Sequence, residues 1–114
     1  MLFNFFKRKP KNYSNLNAAA FKEGLKSKDA VLIDVRNAAE FSGSKIKGAL
    51  NIDVQSSGFK SQIKGLPKDK AYYLYCKIGF RSGNAASIMA EEGFEKVYNL
   101  EGGIRRWPYE IEHD

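Results

Sequence analysis

From Asn12 onward, short apolar runs alternate with segments whose apolar residues recur at helical spacing. Ala30-Val31-Leu32-Ile33-Asp34-Val35 is almost continuously apolar and rich in β-branched residues. Such a run suits a strand buried on both faces, as in a parallel sheet. Ala71-Tyr72-Tyr73-Leu74-Tyr75 is a second strand by composition, and Ala49–Ile52 and Val97–Leu100 are shorter ones. Helical segments lie between them. Asn17 caps the first, with Leu16 and Phe21 placed as a hydrophobic staple and Leu25 on the same face as Phe21. Asn37, with Glu40 three residues on, opens a second. Phe59 and Ile63 mark a third, closed by Gly65 and Pro67. A fourth runs from Ser82 to Glu92, buries Ala85, Ala86, Ile88 and Met89, and ends at Gly93. Gly102 to Trp107 leads to a short terminal helix. Strand–helix alternation of this kind predicts an α/β fold, an open parallel sheet with helices on both faces.

Length and composition narrow the function classes. The chain has 114 residues, enough for one domain, and 43% hydrophobic with 28% charged residues is the balance of a globular protein. No apolar run approaches the ~18 residues of a membrane span. The single cysteine, Cys76, excludes an internal disulfide and a zinc site of paired cysteines, so no metal is expected. A lone thiol fits a reducing compartment, and a cytoplasmic location is expected. The one histidine, His113, is adjacent to the C-terminus, which argues against imidazole chemistry within the fold. The net charge is +6, but residues 1–12 hold Lys7, Arg8, Lys9 and Lys11 and no acid, leaving 15 basic against 13 acidic residues elsewhere. A nucleic-acid partner is therefore not expected of the folded part. Residues 1–12 read as a basic and apolar N-terminal tail. Its functional reading is a weak membrane-surface contact through residues 1–11; a frayed terminus or leader remnant is the plainer reading and is preferred.

Chemistry concentrates in Tyr73-Leu74-Tyr75-Cys76-Lys77-Ile78-Gly79-Phe80-Arg81-Ser82. A strand ends in a cysteine, a short loop holds a glycine and an arginine, and a helix begins. Ligands of open α/β sheets bind beyond the carboxyl ends of strands. A helix N-terminus there presents unpaired N–H groups and partial positive charge to an anion. The same features, with Arg81 and Lys77, stabilise a thiolate at Cys76. Gly79 permits the tight path that turns successive amides inward. A lone cysteine at a strand end is often only a small buried hydrophobe, but the glycine, arginine and helix that follow favour a functional one.

The loop Cys76-Lys-Ile-Gly79-Phe-Arg81-Ser82 resembles the C-x-x-G-x-R-S active-site loop of single-domain rhodaneses. Leu32-Ile33-Asp34-Val35-Arg36-Asn37-Ala38-Ala39-Glu40-Phe41 resembles the family's L-I-D-V-R-x-x-x-E-[FY] signature. Ile46 to Ile52 is similar to its H-I-x-G-A-x-N-I segment, with Lys45 where the histidine is usual, and Leu100 to Trp107 to its closing L-x-G-G-x-x-x-W. The four occur in order, and the resemblance covers residues 13–107, followed by a C-terminal tail over 108–114.

The resemblance implies the rhodanese fold, an open, mostly parallel five-stranded sheet with helices on both faces. It also implies sulfane-sulfur transfer through a persulfide on Cys76, with Arg81 as the second catalytic residue and no cofactor. Lys77, Ile78, Gly79, Phe80 and Ser82 are the expected substrate-binding residues; Ile78 and Phe80 should point outward, as a docking patch or a pocket wall. The expected partners are a small anionic donor such as thiosulfate or a persulfide, and a thiol, cyanide or protein-thiol acceptor. Asp34, Arg36 and Glu40 are expected to be structural, with Arg36 paired to Glu40 or Asp34. Gly102 and Gly103 are expected to serve backbone geometry. Four residues separate Cys76 from Arg81, fewer than in tyrosine-phosphatase loops, and the smaller ring suits a terminal sulfur better than a phosphoryl group. A non-catalytic sulfur carrier, redox sensor or protein-binding module on the same fold is the alternative.

Overall fold

A computed structural model describes residues 12–114. Its centre is strand β5 (Ala71–Tyr75), in which every residue is buried. Around it lie β1 (Ser14–Leu16), β2 (Ala30–Asp34), β4 (Leu50–Asn51) and β6 (Lys96–Leu100), in the order β1-β6-β5-β2-β4. Every neighbouring pair in this sheet is parallel. The chain therefore forms the expected five-stranded α/β sheet. Crossovers are made by α1 (Ala18–Gly24), α2 (Ala38–Gly43), α3 (Phe59–Lys64) and α4 (Phe80–Glu91).

The two-residue period of β5 divides the core. Tyr72, Leu74 and, one step on, Cys76 belong to the cluster with Phe59 and Ile63 of α3 and Ala85, Ala86 and Met89 of α4. Ala71, Tyr73 and Tyr75 belong to the opposite cluster, with Phe21 of α1, Ile104 and Trp107. That alternation aims the cysteine at the face on which α4 begins.

Local signals act where they were expected. The Asn17 side chain accepts the Ala20 N–H at 2.9 Å. Asn37 and Glu40 form a reciprocal capping box at the start of α2. Elsewhere the structure corrects the sequence reading. Strand β1 carries almost no apolar signal; it exists because its backbone pairs with β6, Leu16 opposite Leu100. Helix α4 begins at Phe80 instead of Ser82, because its cap is the left-handed backbone of Gly79 (φ 107°) and no side chain. Ile88 is only half-buried. The terminal helix is a single 3₁₀ turn, Ile104–Arg106. Residues 108–114, expected as a tail, fold back: β7 (Glu112–His113) pairs antiparallel with β3 (Ser44–Lys45). Tyr109 and Ile111 anchor this return against the second core cluster. Lys45, the departure from the family pattern, sits over the Phe41 ring and 3.8 Å from the Asp114 carboxylate. The tail readings for residues 1–11 lie outside the described residues. Among the described residues no helix is long and apolar enough to cross a membrane.

The central strand should dominate stability. Leu74 is fully buried in β5, so Leu74→Ala should cost roughly 2–5 kcal/mol in urea unfolding. Leu50, 48% exposed on edge strand β4, should cost under about 1 kcal/mol on the same change. Equal losses at the two positions would contradict the core as described.

Candidate active site

Cys76 follows β5 directly and is 1% exposed. Its Sγ receives three hydrogen bonds: from the Gly79 N–H at 3.1 Å, the Ser82 N–H at 3.3 Å and the Ser82 hydroxyl at 3.2 Å. The two backbone N–H groups can only donate to the sulfur, while the Ser82 hydroxyl can donate or accept. Because α4 begins at Phe80, Ser82 lies in its first turn, and the N–H groups there have no intrahelical acceptor. The helix end therefore turns its amides and the positive end of its dipole toward the sulfur. Ser82, expected among the substrate-binding residues, has both its N–H and its hydroxyl on the Cys76 sulfur.

The loop amides face inward because the loop carbonyls are drawn outward. The Ile104 N–H donates to the Cys76 carbonyl at 2.9 Å and the Arg105 N–H to the Lys77 carbonyl at 3.0 Å. The Gly79 carbonyl accepts from Gly83 N–H at 3.1 Å and from Asn99 Nδ2 at 3.3 Å. Gly103 (φ 63°) packs so tightly on this loop that a Cβ there would lie within 2.3 Å of the Lys77 carbonyl oxygen. The closing glycines are thus part of the site's frame. Their spacing was visible in the sequence, but their contact with the cysteine loop was not.

Charge is distributed in two pairs. Arg36, 4% exposed, is matched to buried Asp34, with Nη2 2.8 Å from Oδ2, and its Nη2 also donates to the Ser44 carbonyl. Burial opposes the Arg36 charge, yet the Asp34 hydrogen bonds and carboxylate raise its pKa. Asn51 Nδ2 ties the same turn together, donating to the carbonyls of Asp34 and Arg36. Of the two partners the sequence allowed Arg36, the structure selects Asp34.

Glu40 belongs elsewhere. It receives Arg81 in a bidentate pair, Nη1 to Oε1 at 2.8 Å and Nη2 to Oε2 at 3.0 Å. The Arg81 bond, set against partial burial, holds the Glu40 carboxyl down at about 2. Glu40 in turn raises the Arg81 pKa, with a smaller contribution from the negative charge of Cys76. One fork of the guanidinium is therefore already filled. Nε–H and one hydrogen on each Nη remain for an anion.

Lys77, Ile78 and Phe80 point out of the loop, with Phe80 79% exposed, while Gly79 is buried. Among the described residues no cluster of three His, Cys, Asp or Glu side chains could hold a metal ion. The chemistry available is that of a buried cysteine sulfur in a cradle of amides, on the same helix as a fixed guanidinium.

Comparison with known proteins agrees with this geometry. The Rhodanese-like domain family profile matches residues 17–109. An uncharacterized protein of Bacillus subtilis, YqhL, is 44% identical over 78 residues, covering 68% of this chain and 60% of that protein. The thiosulfate sulfurtransferase GlpE of Glaesserella parasuis is 34% identical over 85 residues, covering 75% and 77% of the two chains. Among solved structures, a rhodanese-related protein of Thermoplasma volcanium superposes with a TM-score of 0.77 at 30% identity, covering 90% of this chain and all of that one.

The Arg81–Glu40 pair sets a pH dependence. Glu40 has its pKa lowered from 4.5 to about 2, so its stabilising contribution is complete above the unfolded value and fades as pH falls toward 2. Glu40→Gln should therefore destabilise the protein by about 1–2 kcal/mol at pH 7, a discounted figure for a partly exposed pair. The gap to wild type should shrink between pH 4.5 and 2, read by chemical denaturation at several pH values. A gap independent of pH would mean that the amide loses packing and not charge.

Proposed function

The chain belongs to the rhodanese-like domain family, and on that footing we propose that it is a sulfurtransferase. It moves sulfane sulfur from an anionic donor, such as thiosulfate or a persulfide, to a thiophilic acceptor. The observation that carries the proposal is the convergence of three donors on the Cys76 sulfur at the N-terminus of α4.

In the first step the Cys76 thiolate attacks the outer sulfur of thiosulfate. The new Sγ–S bond forms as the donor S–S bond breaks, and sulfite leaves with the electron pair. The product Cys76–S–S⁻ keeps one negative charge on the outer sulfur. Loop and first-turn amides supply the field for that anion, and the uncommitted N–H groups of Arg81 are available to the charge developing on the leaving group. In the second step a thiolate or cyanide attacks the outer sulfur and the Cys76 thiolate leaves. No proton need cross from an imidazole, which suits a chain whose one histidine lies in β7. Gly79 holds the ring small, and a terminal sulfur fits such a ring better than a phosphoryl group does. The thiol must stay reduced between turnovers, so the cytoplasm is the proposed setting.

Cys76→Ser should leave a folded protein that gains no sulfur from thiosulfate and turns over no cyanide. Mass spectrometry of the wild type should show one added sulfur on Cys76. A persulfide that forms but is never passed to cyanide or thiols would favour a carrier over an enzyme. Wild-type turnover in the serine variant would remove Cys76 as nucleophile.

Arg81→Lys keeps a charge but loses both the fork to Glu40 and the free guanidinium hydrogens. Losing one charge-assisted bond is worth roughly 1.5–3 kcal/mol, so KM for thiosulfate should rise about tenfold to a hundredfold. The cyanide step should change less. Unchanged thiosulfate kinetics would place the guanidinium outside the donor's reach.

A further inference from the structure

The outward rim of the cysteine loop is unlike the rest of the surface. Only three large apolar residues are exposed among those described, Leu50, Ile78 and Phe80, and two of them flank Gly79 in this loop. Phe80 occupies the first position of α4 with its ring in solvent and contributes nothing to the core. Beside it, Arg105 and Arg106 share with Ile78 and Phe80 a depression of about 440 Å³ that no carboxylate lines. Lys77 and Arg105 continue the cationic edge around the other side of the loop. Lys77, Arg105 and Arg106 are all exposed, and none takes part in a salt bridge among the described residues. The one acid on that second side, Glu40, is committed to Arg81, so Glu101, on the far side of Ile78 and Phe80, is the one carboxylate set against the three cations.

Exposed apolar area carries a cost in solubility, and small anions such as cyanide or thiosulfate can use the cations but not the apolar side chains. Resting on the sulfurtransferase reading, we infer that the acceptor is a protein thiol seated beside an apolar side chain and flanked by carboxylates. Ile78 and Phe80 supply the apolar contact, and Lys77, Arg105 and Arg106 meet the acids. The patch is small, which suits the transient complex that a one-atom transfer requires. A nucleic acid fits less well. Three clustered cations do not make the track that a phosphate backbone follows, and aliphatic Ile78 offers no face for base stacking. The transfer balances: the acceptor thiolate forms a bond to the outer sulfur of Cys76–S–S⁻, the Sγ–S bond breaks, and its electron pair returns to Cys76.

The test uses the full chain loaded with thiosulfate, the added sulfur being verified by mass before any acceptor is mixed in. Two synthetic peptides with one cysteine and one leucine are compared, one flanked by Asp and Glu, the other by Lys. Rates are expressed per peptide thiolate, since the flanking charges shift that thiol. At about 20 mM salt the acidic peptide should react about tenfold faster, and the advantage should fade near 0.5 M. Arg106→Glu, a residue with no bond to the cysteine loop, should cut the preference at least threefold while Cys76 still loads fully from thiosulfate, as read by mass. Equal rates for the two peptides, or a preference that survives charge reversal, would overturn the acidic-partner inference with sulfur transfer itself intact. Inhibition by oligouridylate but not by a cysteine-free acidic peptide would overturn it in favour of RNA. Failure of Cys76 to take up sulfur would sink the sulfurtransferase reading first, and this inference with it.

Discussion

An anionic sulfur can be held inside a protein only if donors replace the water it gives up. In this molecule three hydrogen bonds to Cys76 Sγ meet that requirement, and much of the surrounding architecture follows from them. Peptide groups are dipoles, so amides can converge on a point only if their carbonyls are satisfied elsewhere. The 3₁₀ turn after Gly103 does this for Cys76 and Lys77, and Asn99 and the first turn of α4 do it for Gly79. The parallel sheet provides the rest: β5 delivers the cysteine to the face where α4 starts, and the two-residue period decides which face that is.

Glu40 shows how economically a small domain builds such a frame. Its carboxylate closes the capping box of α2 and grips Arg81 of α4 at once. The start of one helix is thereby fixed against the start of another, and the guanidinium is held beside the α2 cap. Asp34 and Arg36 do the equivalent work beneath it, where they are buried and matched. An arginine near an anion site is thus two kinds of residue here, one a strut and one available to a ligand.

The sequence made this division only partly legible. Apolar runs revealed the three inner strands, because burial on both faces leaves a compositional trace, and also edge strand β4. Strand β1 left none, since its role is to pair its backbone with β6. Cys76, Gly79 and Arg81 stood out because local chemistry dictates their types and spacing. Glu40 was visible as a helix cap, but its partner lies 41 residues away, and no local rule names such a pair. The early start of α4 was hidden because a glycine backbone caps it, and Ser82 looked like an ordinary first residue of a helix. The folded-back terminus was missed because β7 is two exposed residues held through Tyr109 and Ile111. What could not be read were contacts between segments that are each unremarkable alone.

The reliance of the cysteine loop on Gly103, Ile104 and Arg105 bears on the order in which the molecule acquires its chemistry. During synthesis the loop leaves the ribosome well before the segment that draws its carbonyls aside, and domains fold as units. Until that segment arrives, the carbonyls of Cys76 and Lys77 lack the donors that draw them away from the sulfur. The cradle around Cys76 is thus a property of the assembled domain and not of its own loop, and the cysteine acquires those partners only after the chain beyond Gly102 has docked.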